Sequence, residues 1–230
     1  MSERDHSSRT RRRSVRPTKR ANTRVQSREE RKAQTRQKLV RAALSLLETR
    51  SFGAISLREV TREAGVTPAA FYRHFDGMEE LGLALIEESF AALRGMLKDA
   101  RAELAGFDQV IRDSVEILVR HIHEHRLEFQ FIARERYGGI AALRHAIRTE
   151  IRLFASELAL DLSRFPVLDK WTSEDLQTYA GLMVTNMVSI VESILDAPPG
   201  DVEAEAEIKR AAERQLLMLV LGSTGWRSGT

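Results

Sequence analysis

Apolar residues recur at helical spacing along almost the whole 230-residue chain, and no segment alternates convincingly between apolar and polar positions as a strand would. Glycine and proline separate the periodic segments, for example at Gly138-Gly139 and at Pro198-Pro199-Gly200. This pattern predicts an all-α protein of about nine helices. The predicted helices cover about residues 28–49, 57–64, 68–75, 79–103, 108–124, 125–136, 139–164, 173–196 and 202–221.

Capping residues mark the starts of the first helices. Ser27 with Glu30, and Ser56 with Glu59, each have the spacing of a capping box, and a Thr-Pro pair precedes the third helix. Only residues 64–67, which include a glycine, join the second helix to the third, as in a helix-turn-helix. Nine apolar residues are spaced to form one small core for these three helices: Leu39, Ala43, Leu46, Leu57, Val60, Ala64, Val66, Phe71 and Phe75.

The third helix is predicted to present a DNA-binding face. A recognition helix needs small residues where the backbone approaches base edges, and polar or basic residues that reach phosphates. Ala69 and Ala70 suit a thymine methyl, whereas Tyr72, Arg73 and His74 suit phosphates or a guanine edge. The alternative is that the aromatic residues here are core, which we expect for both phenylalanines. The predicted DNA contacts are Arg36, Ser56, Arg58, Thr67, Pro68, Ala69, Ala70, Tyr72, Arg73 and His74.

Charge is distributed unevenly along the chain. The net charge is +3, but residues 1–41 hold 15 Lys and Arg against 4 Asp and Glu, a balance of +11 that leaves −8 on residues 42–230. Such asymmetry predicts a polyanionic partner for the basic end. We expect residues 1–26 to be a disordered basic arm that reaches an adjacent minor groove. Its basic residues include Arg11, Arg12, Arg13, Arg16, Lys19 and Arg20.

Composition and motifs exclude several protein classes. The chain has no cysteine, which excludes disulfides, iron–sulfur clusters and thiol nucleophiles. It has neither an apolar run long enough to span a membrane nor a secretory signal, so we expect a cytoplasmic protein. Phosphate loops, nucleophile elbows and dinucleotide fingerprints are missing from the sequence, so we expect no enzyme, no catalytic residue and no cofactor.

The histidine-rich segment "HIHEHRLE" raises the question of a metal site. His121 and His125 lie four residues apart on one helix face, which is a possible ligand spacing. The segment lacks the His and Glu order of metalloproteases, and spacing alone identifies no third ligand. We therefore expect solvated or capping histidines and no metal.

The residues of the helix-turn-helix resemble a known family. The stretch "ISLREVTREAGVTPAAFYRHFDGMEELGLAL", with the preceding "QTRQKLVRAALSLLE", is similar to the DNA-binding domain of TetR-family transcriptional regulators over about residues 34–86. Many members have lysine where this chain has Met78. "FYRHF" followed by "MEELGL", and later "FQFIARERYGG" with "LRHAIRTEIRLFASELALDL", resemble the FabR and DesT branch, repressors of unsaturated fatty acid synthesis.

This resemblance implies an architecture and a function. We expect a helix-turn-helix DNA-binding domain at residues 27–77 and a larger ligand-binding and dimerisation domain at residues 78–230. The protein is expected to bind palindromic operator DNA as a homodimer and to control fatty acid genes in response to long-chain acyl-CoA or acyl-ACP. A ligand would act by a population shift through a hinge at residues 76–80.

The last two helices are expected to form the dimer interface typical of the family. Residues 176–194 are apolar on nearly every side, so they require cover on nearly every side. One side could pack within the domain and the other against a second copy; the alternative is burial wholly within one subunit. The predicted interface residues are Tyr179, Met183, Met187, Ile190, Val191, Ile194, Leu216, Leu217 and Val220.

A sensor also needs a cavity between the remaining helices. Flexible Met and flat Phe side chains would suit an acyl chain, although each such residue is more often plain core. Arginines nearby would meet phosphates of coenzyme A or of the acyl-carrier arm, with a solvated face as the competing interpretation. The predicted ligand-binding residues are Phe90, Leu93, Leu97, Leu118, Phe129, Phe131, Ile132, Arg134, Arg136, Phe154, Met183 and Met187.

Two other functions remain open from the sequence. The same fold could sense a different hydrophobic small molecule, such as a drug or a quorum signal. The basic arm could instead dock a peripheral membrane protein on anionic lipid, although that function leaves the helix-turn-helix unexplained.

Overall fold

The structure is a computed structural model that describes the backbone of residues 19–101 and 107–229 and the side chains of residues 28–94 and 111–229. Within these residues it contains nine α-helices, one 3₁₀ turn at Phe52–Ala54, and no strand, which confirms the all-α prediction. The helices are α1 (Lys19–Leu47), α2 (Leu57–Glu63), α3 (Pro68–Phe71), α4 (Met78–Arg101), α5 (Phe107–Glu124), α6 (Arg126–Glu135), α7 (Ala141–Leu162), α8 (Ser173–Asp196) and α9 (Val202–Gly225).

Three predicted helix boundaries differ from the structure by four residues or more, and one of them is the end of α9, at Gly225 rather than about residue 221. Helix α1 starts at Lys19, so Ser27 lies inside the helix and is not its cap. Residues 19–27 contain neither glycine nor proline, and nothing in them breaks the helix. Residues 19–26 of the expected disordered arm are therefore helical, whereas residues 1–18 lie outside the described part of the chain. Helix α3 ends at Phe71 because the following residues form turns, with His74 N bonded to Phe71 O at 2.8 Å.

The predicted core of the helix-turn-helix is confirmed. All nine residues belong to one apolar cluster, in which Leu39, Ala43, Val60 and Phe71 have no exposed surface. The same cluster includes residues of α4, α6 and α7. The DNA-binding helices and the larger domain are thus joined by a continuous apolar core, across the expected boundary at residues 77 and 78.

Close helix packing secures this junction at Gly82 of α4. A Cβ there would lie 2.8 Å from Leu143 Cδ2 of α7 and 2.9 Å from Phe52 Cζ. Only glycine lets these three elements approach so closely.

Helix α8 connects the two other apolar clusters. Ile190 and Ile194 pack with α5 and α9, whereas Leu176 and Tyr179 pack with the end of α7 and the loop after it. By length and composition α8 could cross a membrane, with a mean hydropathy of 1.3. It packs against α5, α6, α7 and α9 of the same domain, but 28% of its most apolar window is buried and part of its apolar surface is exposed.

Candidate DNA-binding surface and effector cavity

The start of α2 is fixed by the predicted capping box. Glu59 N donates to Ser56 Oγ at 3.4 Å, and Ser56 N donates to Glu59 Oε2 at 2.9 Å. Arg50 also donates to Glu59 at 2.8 Å. These hydrogen bonds, the one from Arg50 first, lower the pKa of Glu59 to about 2. The ionised carboxylate therefore anchors the start of α2 while leaving Arg58 exposed.

A tight turn then sets the angle of α3. Gly65 adopts a left-handed conformation with φ +66°, and Val66 N bonds to Thr61 O at 2.9 Å, as in a Schellman motif. Thr67 Oγ1 then accepts a hydrogen bond from Ala70 N at 3.2 Å, and Pro68 occupies the first turn. The predicted caps and turn glycine are thus confirmed.

The predicted inner and outer sides of α3 agree with the burial of its residues. Phe71 and Phe75 are buried, whereas Tyr72 is 59% exposed and Arg73 is also exposed. Thr67, Pro68 and Ala69 are exposed as well, and Ala70 is half-buried. The exposed side therefore carries small, aromatic and basic residues together.

Two of the predicted DNA contacts are bonded within the protein. Ser56 caps α2 through Glu59, and Arg36 forms a salt bridge with Glu88 of α4. The Arg36 guanidinium also lies 5.4 Å from the centre of the Phe75 ring. Arg36 therefore braces α1 against α4.

A third predicted contact, His74, is half-buried, and its Nδ1 has no hydrogen-bond partner among the described residues. Burial first, and then the charges of Lys32, Arg36 and Arg73, lower the pKa of His74. These surroundings favour the neutral ring.

A cavity of about 90 Å³ lies between α4, α5, α6, α7 and α8. Its wall is apolar except for Arg136 and Glu192, which form a salt bridge of 3.1 Å. Eight of the predicted ligand-binding residues line it: Phe90, Leu93, Leu118, Phe129, Ile132, Arg136, Phe154 and Met187. Six further lining residues were missed, namely Ala133, Ile151, Val184, Val188, Val191 and Glu192.

The structure places three predicted ligand-binding residues elsewhere. Phe131 packs against Phe52, with ring centres 5.9 Å apart. Arg134 donates to backbone carbonyls at the end of α1, including Leu47 O at 2.8 Å. Met183 packs against both of the apolar clusters that α8 connects. These residues lie on other helix faces than the cavity wall, and the side chain of Leu97 lies outside the described part of the chain.

Helix α6 lies between the cavity and the DNA-binding helices. Ile132, Ala133 and Arg136 face the cavity, whereas Arg134 and the buried Glu135 face the end of α1. Glu135 Oε1 accepts a hydrogen bond from Phe52 N at 2.9 Å. One helix thus contacts both functional regions.

A larger cavity of about 310 Å³ lies between α1, α4, α5 and α6. Leu93, Phe129 and Ile132 line both cavities, so these three side chains separate them. The larger cavity is more polar. Its polar lining residues are Gln37, Arg41, Glu88, Ser89, His121, His125 and Glu128.

The predicted dimer-interface residues differ in burial. Tyr179, Ile190, Ile194 and Leu216 are buried within one protomer and pack in the apolar clusters of their own domain, as the alternative interpretation held. Their assignment to a subunit interface stays a prediction. Met183, Met187, Val191 and Val220 are half-buried. Leu217 is exposed, as are four other large apolar residues of α8, α9 and the end of the chain: Leu182, Met218, Leu221 and Trp226.

Comparison with known families agrees with this architecture. A model described as "Bacterial regulatory proteins, tetR family" matches residues 39–85, and one described as "Tetracyclin repressor-like, C-terminal domain" matches residues 107–221. The chain belongs to the TetR family. TetR-family proteins are DNA-binding regulators of transcription rather than enzymes, which agrees with the predicted class. These matches do not distinguish the FabR and DesT branch within the family.

Solved structures of other TetR-like regulators share the fold. FadR, a fatty acid degradation regulator from Bacillus halodurans, is 12% identical, with 84% of this chain and 97% of that chain covered and a TM-score of 0.63. AibR, solved with isovaleryl coenzyme A and operator DNA, is 14% identical, with coverages of 78% and 96% and a TM-score of 0.60. SmeT, solved with triclosan, is 19% identical, with coverages of 85% and 96% and a TM-score of 0.62.

Proposed function

We propose that this TetR-family regulator is a cytoplasmic homodimer that binds palindromic operator DNA and represses transcription. It would control fatty acid genes in response to a long-chain acyl-CoA or acyl-ACP. The main support for this class of effector is the cavity lined by α4 to α8, which is apolar except for one charged pair in its wall. An acyl chain would occupy the apolar part. Arg136 would exchange its contact with Glu192 for the polar end of the ligand.

The DNA-binding role rests on the exposed side of α3. Tyr72 and Arg73 project from the end of a short helix whose inner side is sealed by Phe71 and Phe75. We infer that Tyr72 and Arg73 contact phosphates or base edges, and that Thr67, Pro68 and Ala69 approach the bases. Arg36 and Ser56 act chiefly within the protein, because Glu88 and Glu59 already bond to them.

The dimer would form through the outer sides of α8 and α9. Leu182 on α8 is 54% exposed, and Met218 and Leu221 on α9 are 64% and 60% exposed. Large exposed apolar side chains on neighbouring helices favour an interaction surface. A second copy of the same surface would cover them by two-fold symmetry, and the two α3 helices would then meet paired half-sites.

Helix α6 would transmit the effector signal. A ligand that displaces Ile132 or Ala133 would also shift Arg134 and Glu135, which hold the end of α1 and the 3₁₀ turn. That shift would change the separation of the two α3 helices, with residues 76–80 at the start of α4 as the hinge. The ligand alters operator affinity only if it binds the two arrangements differently.

A different hydrophobic small molecule is the second candidate effector. The cavity of about 90 Å³ is small for a long acyl chain unless Leu93, Phe129 and Ile132 move to join it to its neighbour. SmeT shares the fold and was solved with triclosan, a compact apolar molecule. Acyl-chain length is therefore the variable that separates the two candidates.

The test is a titration of operator binding, followed by fluorescence anisotropy, on a duplex selected from a random pool. Saturated and unsaturated acyl-CoAs of increasing length should change operator affinity, and Ala133→Leu should weaken the response by narrowing the cavity. Ala141→Leu, at an exposed position on α7, is the matched control and should respond like the natural protein. If no acyl-CoA of any length alters operator binding while a compact apolar compound does, the acyl proposal is wrong.

A further inference from the structure

The junction of α5 and α6 brings three metal-ligating side chains together. His121, Glu124 and His125 each offer one ligand atom, and these atoms all lie within 4.8 Å of one another. We propose that this junction binds one divalent transition-metal ion at the wall of the larger cavity. Spacing alone identifies two histidines and no third ligand, whereas the structure adds the carboxylate of Glu124.

His121 is arranged as a ligand would be. Its Nε2 is buried and has no hydrogen-bond partner among the described residues, and its Nδ1 lies 3.7 Å from Glu124 Oε2. A buried polar nitrogen without a hydrogen bond is unfavourable, so this atom is expected to have a partner. Because His121 also lines the larger cavity, an ion entering that cavity would reach it.

The chain turns at His125 and so gathers ligands from two helices. His125 leaves the helical conformation, with φ −124° and ψ 36°, and its ring centre lies 4.4 Å from that of His121. Glu128, in the first turn of α6, places Oε1 3.6 Å from His125 Nδ1 and also lines the cavity. It is therefore a candidate fourth ligand. Ligand atoms of a tetrahedral site with metal–nitrogen distances of about 2.0–2.1 Å lie about 3.3–3.4 Å apart, so the three ligand atoms need to approach one another by at most about 1.5 Å.

The ligand set indicates the class of metal. Two imidazoles and one or two carboxylates, without thiolate, suit Zn²⁺, Ni²⁺, Co²⁺ or Cu²⁺ better than Mg²⁺ or Ca²⁺. The ion would brace α5 against α6 and place two positive charges in a cavity whose opposite wall includes Gln37 and Arg41 of α1. The site does not depend on the identity of the organic effector.

His123 provides a matched control on the same helix. It lies between the two proposed ligands in the sequence but faces away from them, with Nε2 2.7 Å from Glu205 Oε2 of α9. His123→Gln removes a histidine from the same segment and leaves the proposed ligands in place.

The experiment measures Zn²⁺ binding by calorimetry and the visible absorption of bound Co²⁺, using the full chain without a histidine tag. We expect the natural protein to bind one ion per protomer. His121→Gln and His125→Gln should each lower the affinity for Zn²⁺ by about 10-fold or more. His123→Gln should change that affinity by less than about 2-fold. Glu124 is exposed, so Glu124→Gln should fold normally and still weaken binding and alter the Co²⁺ spectrum. Absence of saturable binding to the natural protein, or equal losses in all three histidine variants, would overturn the proposal.

Discussion

The DNA-binding helices and the cavity-lining helices place their aromatic residues differently. In the first region Phe71 and Phe75 lie in a filled core, with 0% and 2% of their surfaces exposed. Phe90 belongs to the same core cluster but also lines the cavity of about 90 Å³, as do Phe129 and Phe154. A side chain that lines a cavity has fewer packing contacts on that side than one in a filled core. We therefore expect the DNA-binding region to hold its shape and the region around the cavity to deform more easily.

The largest expected effect comes from truncating an aromatic residue in each region. Phe71→Ala should lower the free energy of unfolding by about 3–5 kcal/mol, since it removes a fully buried ring and leaves a hole. Phe154→Ala should cost less, because its ring is half-buried and already borders empty space. Urea unfolding at equal protein concentration measures both values. Equal losses would mean that the two regions are packed alike.

The second prediction concerns the exposed side of α3. Replacing Tyr72 and Arg73 together by alanine should weaken operator binding by on the order of 100-fold, because each contact with DNA is worth about 1–3 kcal/mol. Both side chains are exposed, so the melting temperature should change little. Arg148→Ala, on the exposed side of α7, is the control for the loss of a positive charge and should bind nearly as well as the natural protein. Full operator affinity in the double variant would remove the basis for the proposed DNA-binding surface.

The sequence predicted the local structure of the helix-turn-helix better than it predicted the residues that line the cavity. The helix-turn-helix follows from local signals, namely the box at Ser56 and Glu59, the cap at Thr67 and the glycine at position 65, and each of these is present in the structure. The error at α1 arose because the spacing of Ser27 and Glu30 also occurs inside a helix.

The effector cavity depends on contacts between distant elements, which local patterns do not encode. Residues 129–136 are apolar or basic on several sides, so spacing could not tell which side of α6 meets the cavity. The structure turns Ile132 and Arg136 inward, and Phe131 and Arg134 toward α1. The same ambiguity affected α8 and α9, where Tyr179, Ile190 and Ile194 of α8 and Leu216 of α9 pack within their own domain.

The contact between α6 and the 3₁₀ turn is tested by a pair of adjacent glycines. A Cβ at Gly138 would clash with Oε2 of Glu135, whereas a Cβ at Gly139 would meet nothing within 4 Å. Gly138→Ala should therefore displace the Glu135 carboxylate from Phe52 N and cost about 1–2 kcal/mol of stability. If α6 transmits the signal, this variant should also reduce the change in operator affinity that effector produces.

Gly139→Ala is the matched control for that experiment and should leave both stability and effector response close to those of the natural protein. Unfolding curves and operator titrations with and without effector give the two measurements. A Gly138→Ala protein that is destabilised but fully responsive would show that the signal travels by another route, such as the start of α4.

The smallest expected effect is a pH dependence that arises at His74. Burial, together with Lys32, Arg36 and Arg73, holds the pKa of His74 in the folded protein below the ordinary histidine value of about 6.5. The fold therefore favours the neutral ring. Above pH 6.5 the ring is neutral in both the folded and the unfolded chain, so the free energy of unfolding has its full value there. That stability is lost as the pH falls below 6.5 toward the folded-state pKa, because the unfolded chain binds the proton first. Urea unfolding of the natural protein and of His74→Gln at several pH values between about 5 and 8 should show a shallower decline in the variant. His145→Gln, at an exposed position on α7, is the control and should keep the pH dependence of the natural protein. An unchanged pH dependence in His74→Gln would show that the protonation of His74 is not coupled to folding.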